Sequence, residues 1–165
     1  MSKKLMLKSL RLIIWVMFVL YLLILVNVII LKDGKALIIA ESNKQMSFSR
    51  KITQINIIPL VNTIIPYLKG EPSTRIAMEN LLGNIFAFIP LGFLLPLLFK
   101  VCNRFIVTFL LSLSASLLIE IAQLLFYLGS CDIDDLILNV LGSLLGYGVY
   151  RLFKSLYNRK VEVIS

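Results

Sequence analysis

Residues 129–147, GSCDIDDLILNVLGSLLGY, set three carboxylates (Asp132, Asp134, Asp135) and an amide (Asn139) at the mouth of an apolar run. Three of the chain's nine acidic residues thus fall within one helical turn. Upstream, Glu120 and Gln123 interrupt a second apolar segment, and Asn80 and Asn84, one turn apart, share a helical face in a third. These are the candidate binding residues, and their oxygen-rich chemistry leaves several uses open. They could engage a cationic or hydroxyl-rich head group. No cofactor is evident, but oxygen-only ligands suit Mg²⁺, Mn²⁺ or Ca²⁺ rather than zinc. Such an ion could orient a phosphate and activate water. Without a metal, Glu120 could act as acid or base opposite an ionised aspartate. In an enzyme the catalytic candidates are Glu120, Asp132 and Asp135.

Other chemistry is excluded by composition. The chain has no histidine, which removes Ser-His-Asp and Cys-His catalysis and any His-ligated zinc. No Gly-rich phosphate loop is present. Cys102 and Cys131 lie at opposite ends of one apolar segment, too far apart for an intrachain disulfide. The net charge of +8 does not indicate nucleic acid, because the basic residues flank apolar segments instead of forming an aromatic-interleaved soluble surface.

The elements that position these residues are membrane spans. Hydrophobic residues make up 59% of the 165 residues, and mean hydropathy is +0.92. The apolar runs reach the roughly 20 residues a helix needs to cross a bilayer. The expected fold is all-α and integral to the membrane, a single domain over residues 1–165 built as a four-helix transmembrane bundle. Spans are expected at about 12–31, 78–99, 105–128 and 132–153. The first is longer than a signal-peptide core and lacks a small-residue exit, so it is read as retained. Pro90, Gly92 and Pro96 should kink the second.

Ser112, Ser116, Glu120 and Gln123 form one polar stripe on the third span. The loop 32–77 carries an apolar stretch, 52–68, with too many breakers (Asn56, Pro59, Asn62, Pro66) for a spanning helix. It is either re-entrant, interfacial or a plain loop. Basic residues at the N-terminus, the 100–104 turn and the C-terminal tail place all three on the cytoplasmic side by the positive-inside rule. Both termini are then cytoplasmic in a multi-pass protein of a bacterial membrane.

This topology gathers the polar residues in the outer leaflet, with Glu120 about 12 Å below its edge at about 1.5 Å per residue. An acid near the bilayer middle costs roughly 2.5–3.5 kcal/mol on insertion scales. Plainer readings stand beside the functional one. Asp132 or Asp134 could simply cap the fourth span, where a helix N-terminus favours negative charge. A protonated Glu120 bonded to Gln123 or an asparagine could serve only to lock helices. Gly142 and Gly146 read as packing residues.

Four separated motifs resemble, in order and spacing, the VanZ-like membrane proteins. They are Asn56-Ile57-Ile58-Pro59-Leu60; Asn80-Leu81-Leu82-Gly83-Asn84 leading to Phe88-Ile89-Pro90-Leu91-Gly92; Glu120-x-x-Gln123; and Asp132-Ile133-Asp134-Asp135 with Asn139 and Gly142. The likeness runs over residues 56–147. It departs at Leu60, where an aromatic is common, and at Cys131, where Phe is common. The resemblance implies a small bacterial membrane protein related to one linked with low-level resistance to teicoplanin, a lipoglycopeptide. On that reading the partners are membrane lipid and either a lipid-linked cell-wall precursor or the antibiotic. An enzyme acting on a lipid-linked substrate, or a structural and assembly role, are the alternatives.

Overall fold

The computed structural model describes residues 3–30, 74–126, 128 and 131–164, with isolated positions at Ile38, Glu41, Ile55 and Ile58. The 52–68 stretch therefore lies outside the described residues but for Ile55 and Ile58. Four long helices follow one another: α1 (Lys3–Leu25), α2 (Thr74–Leu98), α3 (Phe105–Leu125) and α4 (Ile133–Ile164). All four are long and apolar enough to cross a membrane, and the described residues include no β-strand. The chain is an all-α, multi-pass membrane protein.

Helix ends depart from the sequence expectation in three places. The first helix begins nearer the N-terminus, and π-helical Val26–Ile30 continues it. Lysines at its start do not break it, because Lys is a good helix former. The second starts at Thr74, four residues before the expected span. The fourth runs on to Ile164, since its basic tail holds no Gly or Pro to stop it. Pro90 and Pro96 lie inside α2 without ending it. Pro90 removes the amide that would serve the Phe86 carbonyl. At the same turn Tyr21 Oη of α1 donates to the Ala87 carbonyl at 2.8 Å.

The helices run alternately up and down, so α2 and α4 are parallel neighbours and α3 is antiparallel to both. The α4 helix packs chiefly on α2 and next on α3, whereas α1 sits at the periphery against α2. Backbone meets backbone where α2 and α4 touch. A Cβ on Gly142 would fall on the Ile85 carbonyl, one on Gly146 on the Ile89 carbonyl, and one on Gly92 on the Ser143 carbonyl. Only residues without side chains permit this approach, the use to which a G-x-x-x-G pair is commonly put in membranes. The proposed packing role of Gly142 and Gly146 is what the structure shows.

Against α3, contact is by hydrogen bonds instead. Ser112 Oγ and Ser143 Oγ are 2.5 Å apart, and Asn139 Nδ2 donates to Ser116 Oγ at 3.0 Å. Thr108, Ser112 and Ser116 are all fully buried. Thr108 extends the polar stripe one further turn and donates to the Cys102 carbonyl at 2.8 Å.

The end of the bundle near residues 100–104 is basic. A short 3₁₀ helix, Lys100–Asn103, joins α2 to α3 there. Asn103 ties this turn to α4: its backbone carbonyl accepts Tyr147 Oη at 2.7 Å. Its side-chain oxygen accepts Tyr150 Oη at 2.6 Å and Lys154 Nζ at 2.7 Å. Trp15 of α1 meets Phe99 edge to face, 5.4 Å between ring centres.

The glycine contacts predict unequal effects of one substitution. Gly142→Val and Gly146→Val should destabilise by more than the ~1–3 kcal/mol usual for overpacking, because backbone cannot swing aside as a side chain can. Gly148→Val, with nothing within 4 Å of its Cβ, should leave stability nearly unchanged. Thermal unfolding of the purified variants in detergent measures the difference.

Candidate functional site

The acidic residues occupy the opposite end of the bundle, where α3 ends and α4 begins. Asp132 stands immediately before α4, and its Oδ1 accepts the Asp134 amide at 2.9 Å. The Asp132 carbonyl receives the Leu136 amide at 3.3 Å. Asp132 is therefore the N-cap of the helix, as the plainer sequence reading allowed for that one residue. Asp134 and Asp135 follow in the first turn, where the helix dipole favours negative charge.

Glu120 enters from the other helix. It is 1% exposed, and its Oε2 accepts the backbone amide of Asp132 at 2.9 Å. In a capping box that amide is taken by a side chain three residues into the same helix. Here the residue at that position, Asp135, turns to α2 and accepts Asn84 Nδ2 at 2.6 Å. Glu120 of α3 serves the amide in its place. Three helices are thereby joined at one helix start: α2 through Asn84, α3 through Glu120, α4 through its own first turn.

The remaining expected residues divide. Asn139, also 1% exposed, lies one turn deeper on α4 with its Nδ2 on Ser116. Its Oδ1 is buried without a hydrogen-bond partner among the described residues. Gln123 is buried, but its Nε2 donates to the Ile29 carbonyl at 3.0 Å, so it ties down the π-helical end of α1. Asn80 lies on α2, and its side chain is outside the described residues. Ser143, which pairs with Ser112, was not among the expected residues. It sits one turn after Asn139, and that spacing was the available signal.

Cys131 immediately precedes the cap and is half-buried. Burial pushes its thiol up from the ordinary value, and the nearby charges of Glu120 and Asp132 push it further. At the basic end, burial alone raises the Cys102 thiol. Among the described residues, no three acidic or cysteine side chains converge in a group that could hold a metal ion.

The VanZ/LLP1 family model matches residues 18–154, from within α1 to beyond the middle of α4. This chain belongs to the VanZ/LLP1 family. It is 35% identical over 108 residues to Protein VanZ of Enterococcus faecium, an alignment covering 65% of this chain. The chain spans 66% of that relative's length, just under two thirds. No solved structure matches. Within the family match lie the whole of α2 and α3, parts of α1 and α4, and each of the eight expected polar residues.

The Cys131 thiol offers a direct test of this geometry. Thiolate is the species that alkylates, and a neighbouring negative charge disfavours it. The midpoint of iodoacetamide labelling against pH should therefore lie above that of an exposed cysteine. Glu120→Gln, by removing one of the charges, should move the midpoint down. An unchanged midpoint would mean that Glu120 does not face Cys131.

Proposed function

We propose that this VanZ/LLP1 protein contributes to resistance against teicoplanin-type lipoglycopeptides by binding or shielding an envelope component at the acidic end of its bundle. The observation that carries the proposal is the joining of Asn84, Glu120 and the first turn of α4 around a single helix start. Family membership supplies the context. Purely structural caps would need one acidic residue, whereas Asp132, Asp134, Asp135 and Glu120 concentrate there. Acid buried in a span is costly enough that such residues usually mark a site.

The orientation forms part of the same proposal. Lys100, Arg104, Arg151 and Lys154 are exposed at the opposite end, and the positive-inside rule assigns that end to the cytoplasm. The acidic end then faces outward, where a lipid-linked cell-wall precursor or the antibiotic is found. A reporter fused after Ser165 should be active only as a cytoplasmic reporter. Activity of a secreted reporter there would overturn the orientation.

The binding role predicts that Glu120→Gln and Asp135→Asn lower the minimum inhibitory concentration of teicoplanin to that of cells without the protein. Immunoblots of membranes should show unchanged abundance for both. Loss of abundance in parallel with loss of resistance would assign these residues to folding instead.

A further inference from the structure

The end of the bundle opposite the carboxylates gathers four cations on one turn and one helix face. Lys100 and Arg104 bound the turn between α2 and α3, Arg151 and Lys154 stand on α4, and all four are exposed. The stretches 80–119 and 136–161, from which this turn and this face come, contain no acidic residue. None of the four cations meets a carboxylate among the described residues.

The positive-inside rule accounts for basic residues at this end, but not for the way Lys154 is held. An interfacial lysine ordinarily reaches into water on a flexible stem. Lys154 is instead fixed over the turn: its Nζ donates to Asn103 Oδ1 at 2.7 Å and lies 5.7 Å from the centre of the Tyr150 ring. Tyr150 Oη donates to the same Asn103 oxygen at 2.6 Å. Asn103 is itself fixed, its Nδ2 on the Lys100 carbonyl at 2.9 Å and its own carbonyl on Tyr147 Oη at 2.7 Å. The Lys154 ammonium is thereby lodged on the turn that carries Lys100 and Arg104. Arg151, three residues earlier on α4, adjoins it on the helix surface. One of the three ammonium N–H groups is used on Asn103. No further acceptor meets the other two among the described residues.

Apolar side chains border these charges. Phe99, Val101 and Phe105 are exposed on and beside the turn, and Leu152 is exposed on α4. The apolar span of α2 ends at Leu98 and that of α3 begins at Phe105, which sets the turn at head-group depth. A ligand bound here meets cations at one end and lipid-facing side chains at the other. A soluble anion would use only the first.

We propose that this turn binds the head group of an anionic phospholipid. Lys154 donates its remaining N–H groups to the phosphodiester oxygens, and Lys100, Arg104 and Arg151 supply the surrounding positive charge. The acyl chains lie along Val101 and Phe105. Clustered basic residues beside a span are a common basis for recognising such head groups, and charge-assisted hydrogen bonds are about twice as strong as neutral ones. A zwitterionic phospholipid has the same phosphate but brings its own cation, which the four basic side chains repel. The proposal is independent of the role assigned to the acidic end.

Native mass spectrometry of the full chain in dodecyl maltoside, titrated with dioleoyl phosphatidylglycerol or dioleoyl phosphatidylcholine, tests the site. Phosphatidylglycerol should be retained at least fivefold more tightly than phosphatidylcholine. Lys154→Gln should weaken its retention at least fivefold. Lys8→Gln, which removes the same charge from α1, should change it less than twofold. Equal retention of the two lipids by the native chain would overturn the proposal without recourse to any variant. Equal weakening by Lys154→Gln and Lys8→Gln would reduce the binding to net charge and overturn the site. Displacement of phosphatidylglycerol by an equal concentration of glycerol 3-phosphate would overturn the lipid as ligand, in favour of a soluble phosphate.

Discussion

Contact of backbone with backbone at Gly92, Gly142 and Gly146 fixes α4 against α2, and the rest of the bundle is referred to that contact. In lipid there is no water-driven force to bring helices together, so association depends on close packing and on hydrogen bonds between helices. This chain uses the two devices on separate faces of one helix. Glycines set α4 against α2, and the Ser143 and Asn139 side chains bond it to α3. The arrangement leaves the register of all three helices determined at the level where the carboxylates gather. Asn84 reaches Asp135 because Ile85 rests on Gly142. Glu120 reaches the Asp132 amide because Ser116 and Ser112 are held one and two turns below it.

Much of the fold was legible because its signals are local. Four apolar runs of membrane length, a basic turn at 100–104 and the polar stripe on α3 each declare themselves within one helix. The G-x-x-x-G spacing announced a packing face, although not which helix it would meet. Less legible were the features that depend on a partner distant in the chain. Asn103 reads as an ordinary turn residue until Tyr147, Tyr150 and Lys154 are brought over it. Gly92, between two prolines, reads as part of a kink, and only the folded helices show that it also admits the Ser143 backbone.

The candidate site was legible in membership more than in roles. The eight polar residues were chosen by their cost in a membrane, which does not say what each one touches. Asp132 proved to be the cap, Asp135 the anchor for α2, and Gln123 a fastening for α1. Asn139 keeps an oxygen that meets no donor among the described residues. Ser143 escaped notice because a serine in a span is cheap to bury and so gives little signal by composition alone. The family match adds weight to the same stretch, since residues 18–154 include each of these contacts.

The parallel pairing of α2 with α4 has a consequence for how the protein is made. These helices are separated in the chain by the whole of α3, and the glycine contact cannot close until α3 and α4 have both entered the lipid. Until then α2 presents the Gly92 notch to lipid chains, and Asn84 has no carboxylate to meet. The α3–α4 hairpin carries all four carboxylates, but their junction with α2 through Asn84 needs a third helix. That junction comes into being in the last step of assembly, when α4 slides into the notch. A chain halted before residue 132 would carry Glu120 into the membrane without the backbone amide that it accepts.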